Sequence, residues 1–197
     1  MGRVIYLTGA PATGKSSLSA YLAEKISGLR VLSYSALLRD HISRKAGVSL
    51  TEDGIRNQSA LVVTRQDVDE VDEWLIAEVA ANRSTQNIII DSHPVTKEQY
   101  GFRVTPFSLS QLERLNADAY ICLYASPVVL AKRIRINPAG RPLPTEFELA
   151  MHVQTQASLA TQYSFLLGKP CYPLDSDVTM ETLSATVRRE GKLETPA

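Results

Sequence analysis

Only two cysteines occur in the 197 residues, Cys122 and Cys171. They stand far apart, each in an apolar, strand-like stretch, so a disulfide framework and a thiolate metal site both give way to two buried small side chains. Neither sign of charge is in excess: 21 basic residues balance 21 acidic ones. No global field then draws the chain to nucleic acid or to a membrane, and any basic site has to be local. Apolar runs long enough to span a bilayer are missing, and the N-terminus enters a strand directly, without the charged and apolar regions of a leader. The expectation is a cytoplasmic protein whose partners are neither nucleic acid nor membrane. Internal repeats and low-complexity segments are missing as well. The apolar fraction of 44% suits a chain with a packed core, and the length fits one domain, expected over 1–190 with 191–197 frayed.

What is present is concentrated near the start. Thr8 to Ser16 reads TGAPATGKS, which contains G-x-x-x-x-G-K-S with Gly9, Gly14, Lys15 and Ser16 in the fixed places. The apolar run Val4-Ile5-Tyr6-Leu7 before it reads as a buried strand, and Leu18, Tyr21, Leu22 and Ile26 after it recur at helical spacing. A glycine-rich turn between such a strand and such a helix points backbone N–H groups, and the positive end of the helix dipole, at one spot. Phosphate oxygens bind there. Gly9, Ala10, Pro11, Ala12, Thr13, Gly14, Lys15, Ser16 and Ser17 are thus the candidate ATP-binding residues. Lys15 is placed to reach the outer phosphates and Ser16 to hold Mg²⁺.

Alternating strands and helices follow, predicting an α/β fold with a doubly wound parallel sheet of about five strands. Leu29 to Ser33 is a short strand; Ser35 is a candidate N-cap for the next helix, which carries Arg39. Gly47 to Thr64, with Arg56, reads as a small helical insertion. The helix from Gln66 to Asn82 has an apolar stripe of Val68, Val71, Leu75 and Val79, and the five carboxylates in its first half are expected on a solvated face. Asn87-Ile88-Ile89-Ile90-Asp91 is a central strand with a carboxylate at its carboxyl end, where α/β sheets bind ligands. Asp91 either orients Mg²⁺ through water or caps a turn; His93 either meets a substrate or satisfies local backbone. Pro94 to Ser108, including Arg103, shows no regular period and is expected to be an irregular functional loop.

Leu109 to Leu115 is a short helix and Ala119 to Tyr124 another strand. Ser126-Pro127 opens a helix that ends in Lys132, Arg133 and Arg135. The segment after it holds Pro138, Gly140, Arg141, Pro142 and Pro144, which stops the helix and reads as a stiff lid over about 135–145. A long helix runs from Thr145-Glu146 to Leu167, then a last strand over Cys171 to Leu174 and a last helix over Met180 to Arg189.

The order of these pieces resembles the nucleoside monophosphate kinases, P-loop kinases, and most of all the archaeal-type adenylate kinases. The matching features are Gly9-Ala10-Pro11-Ala12-Thr13-Gly14-Lys15, with Ala12 where many relatives have glycine, then Ser33-Tyr34-Ser35 leading to Leu38-Arg39, and Asp91-Ser92-His93. Tyr100-Gly101, Pro106, Asn116-Ala117-Asp118 and Lys132-Arg133 continue the likeness. The resemblance implies a three-layer P-loop kinase sandwich with an acceptor-binding insertion, about 34–64, and a short lid. It implies ATP as phosphoryl donor, Mg²⁺ as cofactor, and a nucleoside monophosphate as acceptor. Ser35, Arg39, Arg56, His93 and Arg103 would hold that acceptor; Lys15, Arg133 and Arg141 would act on the transferring phosphoryl; Ser16 and Asp91 would serve the metal. Two other readings share the phosphate loop: an ATPase or switch protein that holds a macromolecule, and a kinase of another small acceptor such as a nucleoside or a sugar acid.

Overall fold

The computed structural model describes residues 1–46, 63–138 and 143–193. Strand β1 (Val4–Gly9) is buried along its whole length, as an unbroken apolar run between two neighbours must be. Around it lie β2 (Arg30–Ser33), β3 (Ile88–Asp91), β6 (Ala119–Tyr124) and β7 (Cys171–Asp175) in the order β2-β3-β1-β6-β7. All four pairings are parallel. The expected sheet of about five strands is therefore present, and the fold is that of an α/β P-loop kinase.

Side chains alternate across the pleat and divide the core in two. Val4, Tyr6, Ile88, Ile90 and Tyr120 face one layer, where they meet Leu75, Ile76 and Val79 of α3 (Arg65–Asn82), Leu112 of α4 (Leu109–Leu115) and Tyr163 of α6 (Glu146–Leu167). Ile5, Leu7, Ile89, Ile121 and Leu123 face the other, against Leu18 and Leu22 of α1 (Lys15–Lys25) and Leu183 and Val187 of α7 (Met180–Gly191). The remaining helices are α2 (Tyr34–Ala46) and α5 (Pro127–Ile136). Among the described residues no helix is long and apolar enough to cross a membrane.

Four expectations need correction. Pro94 to Ser108 is not irregular: β4 (Val95–Glu98) and β5 (Gly101–Val104) pair as an antiparallel hairpin. Its order comes from α6, since buried His152 donates Nε2–H to the Val95 carbonyl at 3.0 Å, Phe102 packs edge-on to His152, and Lys97 pairs with Glu148 at 3.1 Å. Partners some fifty residues away leave no local period to read. Ser35 is not an N-cap either, because α2 starts at Tyr34 directly from β2, which places Ser35 in its first turn. The tail is ordered further than expected: Gly191 ends α7 and Leu193 is fully buried against the Ile5 layer, while 194–197 lie outside the described residues.

The carboxylates of α3 are not all on a solvated face, for Asp67 and Asp72 are buried. Asp67 forms a capping box with Thr64 and accepts from Lys45 at 2.7 Å, with His41 at 3.3 Å. The Lys45 ammonium, with the Thr64 hydroxyl, holds the Asp67 carboxyl well below the usual range. A lowered carboxyl stabilises the fold above its unfolded pKa, and that contribution is lost as pH falls through the native value. Lys45 is half exposed, so screening trims the ion pair and the cap carries more of the effect. Asp67→Ala is expected to cost about 1–2 kcal/mol in urea unfolding at pH 7, with a smaller difference from the parent at pH 3. Equal stability at pH 7 would remove the assignment.

Candidate active site

The phosphate loop fills the turn between β1 and α1. A Cβ on Gly9 would stand 2.5 Å from the Leu123 carbonyl oxygen and 2.9 Å from Thr13 Oγ1, so only glycine lets β1 turn this close to β6. Thr13 closes the loop by donating its hydroxyl to the Ala10 carbonyl at 2.7 Å. Ala12 takes φ 64°, a left-handed conformation costing an L-residue about 1–2 kcal/mol and one that glycine would adopt freely. Gly14, at φ 88°, is the N-cap of α1 and makes no side-chain cap. The contrast is informative. Thr64, Ser108, Ser126, Thr145 and Thr179 each cap their own helix through a side-chain oxygen. At α1 the glycine N-cap offers no side-chain oxygen, so the helix start suits an external anion.

Lys15 Nζ lies 2.9 Å from the Gly9 carbonyl oxygen, folded over the loop. Ser16 Oγ is 3.5 Å from Asp91 Oδ2, which places a hydroxyl and a buried carboxylate side by side at the carboxyl end of the sheet. Mg²⁺ takes oxygen ligands, keeps several waters and needs only one or two protein groups beside substrate phosphates. This oxygen pair fits that demand. Among the described residues there is no larger cluster of His, Cys, Asp or Glu suited to a metal. Arg133, near the end of α5, reaches back to the loop: Nη1 donates to the Ala12 carbonyl at 3.3 Å and to Ser176 Oγ at 3.1 Å, and Nη2 donates to the Ser176 carbonyl at 2.8 Å. It ties the phosphate loop to the segment after β7.

Beyond Asp91 the chain enters a second space. A cavity of about 580 Å³ opens between α2, the start of α3, the β4–β5 hairpin and the start of α4. Ser35, Arg39, His93 and Arg103 all line it, though they come from three separate stretches of sequence. Arg39 rests against Asp40 at 3.1 Å and Arg103 against Glu98 at 3.4 Å, and both guanidinium groups are about one-third exposed. Arg56 and Arg141 lie outside the described residues, together with the rest of 47–62 in the insertion and 139–142 in the lid.

Sequence reasoning missed three lining residues: Tyr34, Asp72 and Gln111. Tyr34 donates its hydroxyl to Asp72 Oδ1 at 2.6 Å, and Gln111 Nε2 donates to Oδ2 at 3.0 Å. Burial pushes the Asp72 carboxyl up to about 6, with Asp69 and Glu73 adding to the rise against those two hydrogen bonds. A signal existed. Asp72 falls on the helical line Val68, Asp72, Leu75, Val79, a carboxylate where the stripe calls for an apolar residue.

A phosphate cradle with an adjoining cation-lined cavity at the carboxyl edge of a five-stranded parallel sheet defines the class: a kinase-like P-loop enzyme that binds nucleotide and a small-molecule substrate. The chain belongs to a family described as the AAA domain, whose profile matches residues 8–149. An adenylate kinase of Methanopyrus kandleri is 23% identical over 170 residues, covering 85% of this chain and 86% of that one. Among solved structures, shikimate kinase from Bacteroides thetaiotaomicron superposes with a TM-score of 0.60 at 19% identity, over 96% of this chain and 98% of its own. The tunicamycin resistance protein of Deinococcus radiodurans gives 0.64 at 14% identity over the full length of both. Identities this low establish the shared fold.

Proposed function

We propose that the chain is a nucleoside monophosphate kinase, moving the γ-phosphoryl of ATP onto an acceptor monophosphate, AMP-like by preference. One observation carries this reading. Successive residues at the end of β3 serve both spaces: Asp91 stands beside Ser16 of the cradle, and Ser92 and His93 line the cavity that holds Arg39 and Arg103. Two anions seated in these spaces face each other across the end of one strand. A dianionic acceptor accounts for two arginines there, since each guanidinium offers paired donors to phosphate oxygens. A neutral acceptor does not. The volume, within the range of small-molecule sites, leaves room for a nucleoside as well as its phosphate.

Phosphoryl transfer through a loose transition state is catalysed by position and charge. In this reading the α1 amides and Lys15 hold the ATP phosphates, Arg39 and Arg103 align the acceptor, and Arg133, hydrogen-bonded to the Ala12 carbonyl of the phosphate loop, would act on the transferring phosphoryl, with Arg141 as a second cation. Ser16, with Asp91 behind it, would hold Mg²⁺, which supplies charge neutralisation on the β- and γ-oxygens when bound. An ionised acceptor phosphate oxygen needs no general base.

The test is ADP formation from ATP and Mg²⁺ with each nucleoside monophosphate in turn, against controls with shikimate, gluconate and no acceptor. Two ADP formed per AMP consumed, and little without acceptor, is the expected result. ADP released equally with and without acceptor would leave an ATPase, and a response to a sugar acid alone would move the assignment to that class.

A further inference from the structure

If the cavity takes a nucleoside monophosphate, its inner wall has to meet the base. That wall is polar in a fixed pattern. Gln111 stands at the third position of α4, where its Oε1 accepts the Ser108 backbone N–H at 2.8 Å as half of a capping box. The amide therefore cannot flip without uncapping the helix. Its Nε2 faces Asp72, giving one N–H to Oδ2 and leaving the second N–H for the cavity. Asp72 is clamped from both sides, by Gln111 on Oδ2 and by Tyr34 on Oδ1, and its remaining lone pairs can only accept. An acceptor thus sits beside a donor on the lining of a cavity whose walls also include Leu38, Val68 and Phe107.

We infer that Asp72 and Gln111 read the edge of the acceptor base, selecting an exocyclic amine next to an unprotonated ring nitrogen. This rests on the nucleoside monophosphate reading above and narrows it to 6-aminopurines and 4-aminopyrimidines. The amine donates to Asp72, and the ring nitrogen accepts from Gln111. A 6-oxopurine or 4-oxopyrimidine presents the reverse order, placing a carbonyl against the carboxylate and an N–H against the amide N–H. Both contacts then fail in a buried place, where unpaired polar groups are expensive. Sites that hydrogen-bond a substrate group discriminate strongly for this reason.

Protonation of Asp72 reverses its role from acceptor to donor. The groups around it are Asp69 and Glu73 on α3, Tyr34 on α2, Tyr163 on α6, and Arg39, His93 and Arg103 across the cavity. With its carboxyl near 6, the amino-base preference holds above that pH and weakens below it.

The decisive comparison is AMP with inosine monophosphate, which differ only in this edge, backed by CMP with UMP. AMP is expected to exceed inosine monophosphate in kcat/KM by about 100-fold or more, as CMP exceeds UMP. Asp72→Asn and Gln111→Met should each bring the AMP to inosine monophosphate ratio within about tenfold, through a higher AMP KM more than a lower kcat. The parent's AMP to inosine monophosphate ratio should fall below about pH 6, and in Asp72→Asn it should not change with pH there; the acceptor phosphate, which also titrates at about 6, is common to both substrates and cancels in the ratio. Circular dichroism checks that both variants fold, and the parent ratio needs no variant at all. A parent ratio near one, or a ratio that both folded variants keep, overturns the inference and leaves the kinase assignment standing. If no monophosphate is phosphorylated, the kinase assignment falls. Calorimetry of AMP and inosine monophosphate without ATP then decides the edge separately, equal or absent binding counting against it.

Discussion

Lys15→Ala is expected to reduce phosphoryl transfer by at least about 10²-fold, toward 10³-fold, with a folded protein. Removal of one well-placed group that meets developing charge typically has this effect, because such a group is oriented before the reaction begins. Lys15 opens α1 with its Nζ 2.9 Å from the Gly9 carbonyl, so it hangs over the α1 N-terminus, where the outer phosphates of ATP would lie. The side chain takes no part in either hydrophobic layer, and truncation leaves the core intact. Backbone amides would still bind ATP, so kcat should fall further than ATP affinity. Steady-state kinetics with fluorescence titration of an ATP analogue separates the two. A variant within tenfold of the parent would place the chemistry elsewhere.

Arg39→Ala should act on the other substrate. Hydrogen bonds to a charged group contribute about 1.5–3 kcal/mol each, which is about 10- to 100-fold in the acceptor KM, with the ATP KM within about twofold of the parent. The asymmetry follows from position. Arg39 lines the cavity and pairs with Asp40, while the described contacts of the phosphate loop run to Arg133, Ser176 and Asp91. Arg39→Lys should recover only part of the loss, since a single ammonium cannot offer the guanidinium's paired donors. An equal rise in both Michaelis constants would detach Arg39 from acceptor binding and leave Arg103 and His93 as the anion-binding residues of the cavity.

The two halves of the site were unequally legible. The cradle is local: Gly9 to Ser16 are consecutive, and each has a backbone or charge requirement that restricts its residue type. Its strand and helix neighbours followed from periodicity, and so did β3 and β6, whose buried runs Ile88-Ile89-Ile90 and Ala119 to Leu123 carry their own signal. The cavity is assembled from α2, α3, α4 and the hairpin. Arg39 and His93 were reached through a resemblance, and Arg103 only as part of a stretch without a regular period, because an isolated arginine or histidine has no local signature. Asp72 was misread for a related reason. A carboxylate near a helix start is normally solvated, and only the arrival of Tyr34 and Gln111 from other helices satisfies it in the interior.

By itself, then, the sequence determined the order of the strands and helices of the main sheet and the place of the phosphate loop, because hydrophobic period and loop chemistry act over a few neighbouring residues. Tertiary structure alone decided that the chain from Val95 to Val104 pairs as a hairpin, that Asp67 and Asp72 are buried, and that Gln111 turns its amide N–H toward Asp72. Those outcomes depend on polar groups finding partners 20 to 60 residues away, and a hydrogen bond across that separation is selected by packing.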